Sequence, residues 1–164
     1  MEQVDIPAQV ILGVDTHLDV HVGVVIDAVG RVKGTLSIEA NPSGYENLLI
    51  WAQSFGRLDR AGIEGTGSYG AGLTRFLEEK GIAIIEINRP NRSRRRLRGK
   101  SDPTDAESAA RSVLANDATG VPKARNGVAE ALRTLSVARR SAVKAKTQAV
   151  NQLRALLVSA PSSL

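Results

Sequence analysis

The chain has 164 residues, of which 42% are hydrophobic and none is cysteine. That is material for one ordinary domain or a domain with an appendage, and it excludes a disulfide framework and a thiolate metal site. The net charge of +5 hides a split: residues 1–87 hold six Lys/Arg against twelve Asp/Glu, whereas residues 88–164 hold sixteen against five, which points to a polyanionic partner.

In chain order, Met1-Glu2-Gln3-Val4-Asp5 is acidic and lacks the apolar run of a signal peptide. No later segment approaches the roughly 20 apolar residues of a membrane span, so a soluble, cytoplasmic protein without membrane contact is expected. Val10 to Val14 is a short apolar run ending at Asp15, the pattern of a buried strand. Val20 to Ile26 and Arg31 to Ile38 follow, rich in β-branched residues and separated by Asp27-Ala28-Val29-Gly30. That spacing predicts a hairpin, and the three runs together an antiparallel meander.

The period then changes. Ser43 with Glu46 has the form of a capping box, and Tyr45, Leu48, Leu49, Ala52 and Phe55 recur at helical spacing up to Gly56. Ala61 to Glu64 reads as a short strand, Ser68 to Lys80 as a helix closed by Gly81, and Ile82 to Ile87 as another strand. Connections this short between such elements imply parallel pairing through right-handed crossovers. Residues 88–100 have no apolar periodicity and seven basic residues. A helix is expected from Asp102-Pro103 to about Ala115, then a loop. Gly127 to Ser159 reads as one long helix with Val128, Leu132, Leu135, Ala142, Ala149, Leu153 and Leu156 on one stripe, suited to a coiled-coil arm. The domains expected are therefore residues 1–120 and the arm, 121–164.

Four carboxylates stand out. Asp15 and Glu64 each end an apolar strand, and neighbouring strands would bring both to one end of a sheet. Glu64 is a poor strand residue, and glycines flank it at positions 62, 65 and 67. Asp102 and Asp105 open a helix, where they serve equally well as a cap and a first-turn acid. Yet Asp102 aligns with Ala106, Ala109 and Val113, and Asp105 with Ala109, so both border the face that packs on the sheet. Four converging carboxylates without a cysteine or histidine cluster suit Mg²⁺ or Mn²⁺. Two such ions about 4 Å apart can activate a nucleophile and stabilise a leaving oxygen in phosphoryl transfer. His17 is available as an extra ligand or proton carrier. The basic run Arg89, Arg92, Arg94, Arg95, Arg96, Arg98 and Lys100 is placed to hold phosphates. With only 3% aromatic residues, base stacking is not the expected mode of recognition.

The segments Gly13-Val14-Asp15-Thr16-His17, Glu64-Gly65-Thr66-Gly67-Ser68-Tyr69 and Lys100-Ser101-Asp102-Pro103-Thr104-Asp105-Ala106 resemble those of the DEDD transposases of insertion sequences. The likeness spans about residues 10 to 158. It implies a RuvC-like, RNase H-like α/β fold, a mixed five-stranded sheet with flanking helices followed by a long C-terminal helix. It also implies that Asp15, Glu64, Asp102 and Asp105 form a catalytic metal tetrad. The partners implied are DNA, a structured guide (bridge) RNA, and further copies of the chain through the long helix as homodimer or higher homo-oligomer. Asn88, Pro90 and the arginines fit the family's basic segment, whereas Gly70 and Leu97-Arg98 depart from its pattern. Family members continue into a domain that supplies a nucleophilic serine, and Ser159, Ser162 and Ser163 fit no such motif. The expectation is a catalytic N-terminal domain that does not complete recombination by itself. Two other readings stay open: an actin-like or sugar-kinase-like ATPase, and a non-catalytic nucleic-acid-binding or dimerisation module whose acids only cap helices.

Overall fold

A computed structural model describes residues 8–87, 102–123 and 127–161. The basic run from Arg89 to Lys100 lies outside the described residues. The chain divides into two compact units, residues 1–123 and 124–164.

The first unit is built on a five-stranded sheet. Strands β1 (Gln9–Thr16), β2 (Val20–Asp27) and β3 (Val32–Glu39) form the antiparallel meander expected from their β-branched runs and hairpin spacing. At the β2–β3 hairpin, Asp27 Oδ1 accepts the N–H groups of Val29 (3.1 Å) and Arg31 (2.8 Å), and Gly30 takes φ 82°. The Arg31 N–H holds the Asp27 carboxyl below its ordinary value. Helix α1 (Pro42–Gln53) then leads to β4 (Arg57–Glu64), and α2 (Ala71–Glu79) to β5 (Ala83–Ile87). Both β4 and β5 join the sheet in parallel, giving the order β3-β2-β1-β4-β5.

Three local expectations change. The cap of α1 is Asn41, whose Oδ1 accepts the Gly44 N–H at 2.8 Å, and not a Ser43–Glu46 box. Pro42, with its φ preset for a first helical position, starts the helix before Ser43 is reached. Strand β4 begins at Arg57, four residues earlier than its apolar run. Pairing of Gln9 with Arg57 and Val10 with Leu58 extends it through charged positions, where Arg57 and Asp59 are ion-paired at 2.8 Å. Helix α2 begins at Ala71 and not at Ser68, because the Ser68 and Gly70 N–H groups both donate to the Gly65 carbonyl (2.8 and 3.1 Å) and hold that segment in turns.

Strand alternation makes two cores. Val10, Leu12 and Val14 of β1 pack with Leu58, Ala61 and Ile63 of β4 beneath Leu48, Leu49 and Ala52 of α1 and Leu73 and Leu77 of α2. On the opposite face, Ile11, Val24 and Ile26 meet helix α3 (Asp102–Leu114) through Ala106, Ala109, Ala110 and Val113. An alanine methyl contributes only about 0.8 kcal/mol on burial, against about 1.5–3 kcal/mol for leucine or valine. Close approach must therefore replace side-chain bulk. Gly13 and Gly62, paired across β1 and β4, supply it: a Cβ on Gly13 would overlap the Ala106 carbonyl oxygen, and one on Gly62 would lie 2.9 Å from that of Ala109.

The second unit is helix α4 (Gly127–Ser159), 33 residues long, whose exposed apolar side chains include Val128, Leu132, Leu135, Leu153 and Leu156. Among the described residues, no helix is long and apolar enough to cross a membrane.

Candidate metal centre

Val14 and Ile63 are register partners in the parallel β1–β4 pair, so Asp15 and Glu64 follow side by side at the C-terminal ends of these strands. By alternation both belong to the face that α3 covers, as Gly13 and Gly62 do. The close approach that the glycines permit brings the first turn of α3, with Asp102 and Asp105, to the same edge. All four acids line one cavity of about 370 Å³, together with Thr16, His17, Gly65 and Ser68. A larger hollow of about 720 Å³ beside the C-terminal half of α3 has more room, but its charged residues Glu86, Arg111 and Asp117 form no comparable acidic cluster.

Asp15 is buried, with 8% of its surface exposed. Burial pushes its carboxyl above the ordinary value; His17 opposes this, while Asp105 and Asp102 add to it. A buried acid crowded by two more favours a cation at the site. His17 stands beside two of these acids, its Nε2 3.2 Å from Asp15 Oδ2 and 3.6 Å from Asp102 Oδ1. Asp15, His17 and Asp102 each offer one ligand atom, and these three atoms lie within 4.8 Å of one another. The donor set of carboxylates with one imidazole fits a divalent metal ion.

Several supporting residues carry weaker sequence signals. Thr16 Oγ1 donates to the Glu64 carbonyl at 2.8 Å, tying the two strand ends together. His21 is fully buried, stacked on Tyr45 at 5.8 Å, and its Nδ1 accepts the His17 N–H at 3.3 Å. Burial lowers its pKa. A histidine at an inward position of an otherwise apolar strand was the available sign. Gly13 and Gly62 were legible as glycines inside strand patterns, a mark of close backbone approach.

A family model described as "Transposase", that of the DEDD transposases of IS110 type, matches residues 12–160. Among curated proteins none matches significantly. Solved structures that share the fold include two of RuvC. One is T. thermophilus RuvC in complex with Holliday junction substrate, at TM-score 0.50 and 13% identity, covering 68% of this chain and 98% of that one. The other is a Thermus thermophilus RuvC structure, also at TM-score 0.50, with 14% identity, covering 67% and 98%.

Proposed function

Because the chain belongs to the DEDD transposase family of IS110 type, we propose that its acidic pocket holds Mg²⁺ or Mn²⁺ and contributes the metal-dependent part of DNA strand cleavage and transfer in transposition. One observation carries this reading. Four carboxylates from three separated segments line a single pocket at the edge of a RuvC-like sheet. Family membership also removes the ATPase alternative.

When bound, such a metal would supply Lewis-acid stabilisation of charge on the phosphoryl oxygens and activate the attacking nucleophile. The protein's part is to keep the ligands in place. Asp15 and Glu64 are fixed by the sheet, and the Thr16 hydroxyl locks their strands at that end. Asp102 and Asp105 arrive on α3, so their position depends on how that helix seats on Gly13 and Gly62. Placing the acids on strands and a helix favours the geometric precision that in-line chemistry needs.

DNA is the proposed substrate, and the junction-bound RuvC neighbour supports a branched form of it. The basic run from Arg89 to Lys100 is proposed to grip phosphates, since it directly precedes the two acids of α3 in sequence. A structured guide RNA and a homo-oligomer built through α4 are proposed on the family resemblance and on the exposed apolar stripe of that helix.

Metal binding gives the direct test. A ligand bound only by the native state adds RT ln(1 + [L]/Kd), about 2.7 kcal/mol at a hundredfold excess over Kd. Thermal melts should rise by roughly 10 °C with saturating Mn²⁺ for a unit of this size. The Asp15→Ala, Glu64→Ala double variant should show no rise. An equal rise in parent and variant would remove the metal centre and leave the non-catalytic module.

The basic run is tested by salt. Replacing Arg94, Arg95 and Arg96 with alanine should weaken binding to duplex DNA. It should also flatten log K against log [salt] by about 0.9 for each phosphate that is no longer neutralised. An unchanged slope would make the run ordinary solvated surface.

A further inference from the structure

We propose that His17 is itself a ligand of the metal in this pocket, making the site an oxygen–nitrogen one that takes Mn²⁺ in preference to Mg²⁺. The proposal rests on the reading of the pocket as a metal centre and adds a fifth residue to its four carboxylates.

The first support is placement. His17 Nε2 faces carboxylate oxygens from two elements far apart in sequence, the end of β1 and the start of α3. A structural ion pair needs one carboxylate. Here a single nitrogen lies close to two, and the three donor atoms are close enough together to share one ion. In the neutral ring, Nε2 presents a lone pair whenever the proton sits on Nδ1.

The second support is how the turn is held. The His17 main-chain N–H donates to the Val20 carbonyl (3.2 Å) and to His21 Nδ1 (3.3 Å). His21 in turn is buried and stacked on Tyr45, in the core beneath α1. The turn is therefore anchored through its backbone from the opposite side of the sheet, and the His17 ring is not needed to hold it. That ring, with 49% of its side chain exposed, stands within the pocket wall where a hydrated ion can reach it.

The third support is chemical. Mg²⁺ strongly prefers oxygen ligands in near-ideal octahedral geometry and gives up water reluctantly, whereas imidazole is a ligand for transition metals. A nitrogen among the donors shifts the site away from Mg²⁺.

Pulsed electron paramagnetic resonance of the full 164-residue chain, free of any histidine tag and loaded with Mn²⁺, reads the bond directly. The parent should show echo modulation from a coordinated ¹⁴N, and ¹⁵N-histidine labelling should convert it to the ¹⁵N pattern. His17→Ala should lose that modulation. It should also lower Mn²⁺ affinity by about tenfold or more, since even partners outside the ligand shell commonly cost 10–100-fold, with a smaller loss for Mg²⁺. Bound Mn²⁺ without nitrogen modulation in the parent overturns the proposal and leaves the carboxylate centre standing. Modulation that persists in His17→Ala also overturns it. A parent that leaves the free Mn²⁺ signal undiminished overturns both the proposal and the metal reading beneath it.

Discussion

Gly13→Ala should be among the most damaging single substitutions in the first unit, costing about 3 kcal/mol or more and lowering the melting temperature by roughly 10 °C. A methyl at this position overlaps the Ala106 carbonyl oxygen and lies 2.5 Å from the Ala110 nitrogen and 2.8 Å from its Cβ. Two of these three atoms are backbone, so no rotamer change relieves the clash. Helix α3 must lift or tilt. Because α3 carries Asp102 and Asp105, the same movement pulls two carboxylates away from Asp15 and Glu64. Metal affinity should therefore fall together with stability, which a purely local packing defect would not produce. Gly81→Ala is the control: its φ of 80° disfavours a side chain, at roughly 1–2 kcal/mol, but nothing lies within 4 Å of the new methyl. That variant should keep its metal affinity. Denaturant unfolding and Mn²⁺ titration of both decide the matter. If the two glycines behave alike, α3 is not seated by backbone contact on Gly13.

The interplay of Gly13 with α3 also shows where the sequence was readable and where it was not. The meander was legible because β2 and the hairpin turn are specified locally, by β-branched residues and by Asp27 to Gly30. Parallel pairing of β4 with β5 followed from the shortness of the connections, whereas the pairing of β1 with β4, on which the side-by-side placement of Asp15 and Glu64 depends, was only a condition until the fold supplied it. Features fixed by distant partners were not legible. The charged half of β4 is a strand only because β1 lies beside it, and Ser68 leaves α2 because its N–H is drawn to the Gly65 carbonyl. His17 was available from the sequence as an extra ligand or proton carrier, but the partners of its ring were not legible, for the same reason. A lone histidine after a strand says little until α3 sets Asp102 beside it. For Asp102 and Asp105 the local sequence favoured capping, since a helix N-terminus favours acids, and only their alignment with the sheet-facing alanines left ligation open. The fold brings them to the pocket of Asp15, where either service is open to them.

Asn substitution separates those services. Asparagine caps a helix about as well as aspartate, because its side-chain oxygen still accepts a backbone N–H, but it carries no charge for a divalent ion. If Asp102 and Asp105 are ligands, Asp102→Asn and Asp105→Asn should each reduce Mn²⁺ affinity by at least about tenfold. The metal-free protein should respond in the opposite sense. Asp15 has its carboxyl raised, first by burial and further by Asp105 and Asp102. A raised folded value means a stabilising contribution that is fully present below the unfolded value of 3.8 and is lost as pH rises through the folded value. At neutral pH the ionised Asp15 thus weakens the metal-free fold, and removing a neighbouring negative charge relieves part of that cost. Each Asn variant should then melt higher than the parent without metal at about pH 7, with the difference shrinking towards about pH 4. With Mn²⁺ the order should reverse, because the metal requires Asp15 deprotonated and the parent holds it more tightly. Melts across roughly pH 4–8, with and without Mn²⁺, test both halves. Parallel curves for parent and variants in both conditions would assign Asp102 and Asp105 to capping alone.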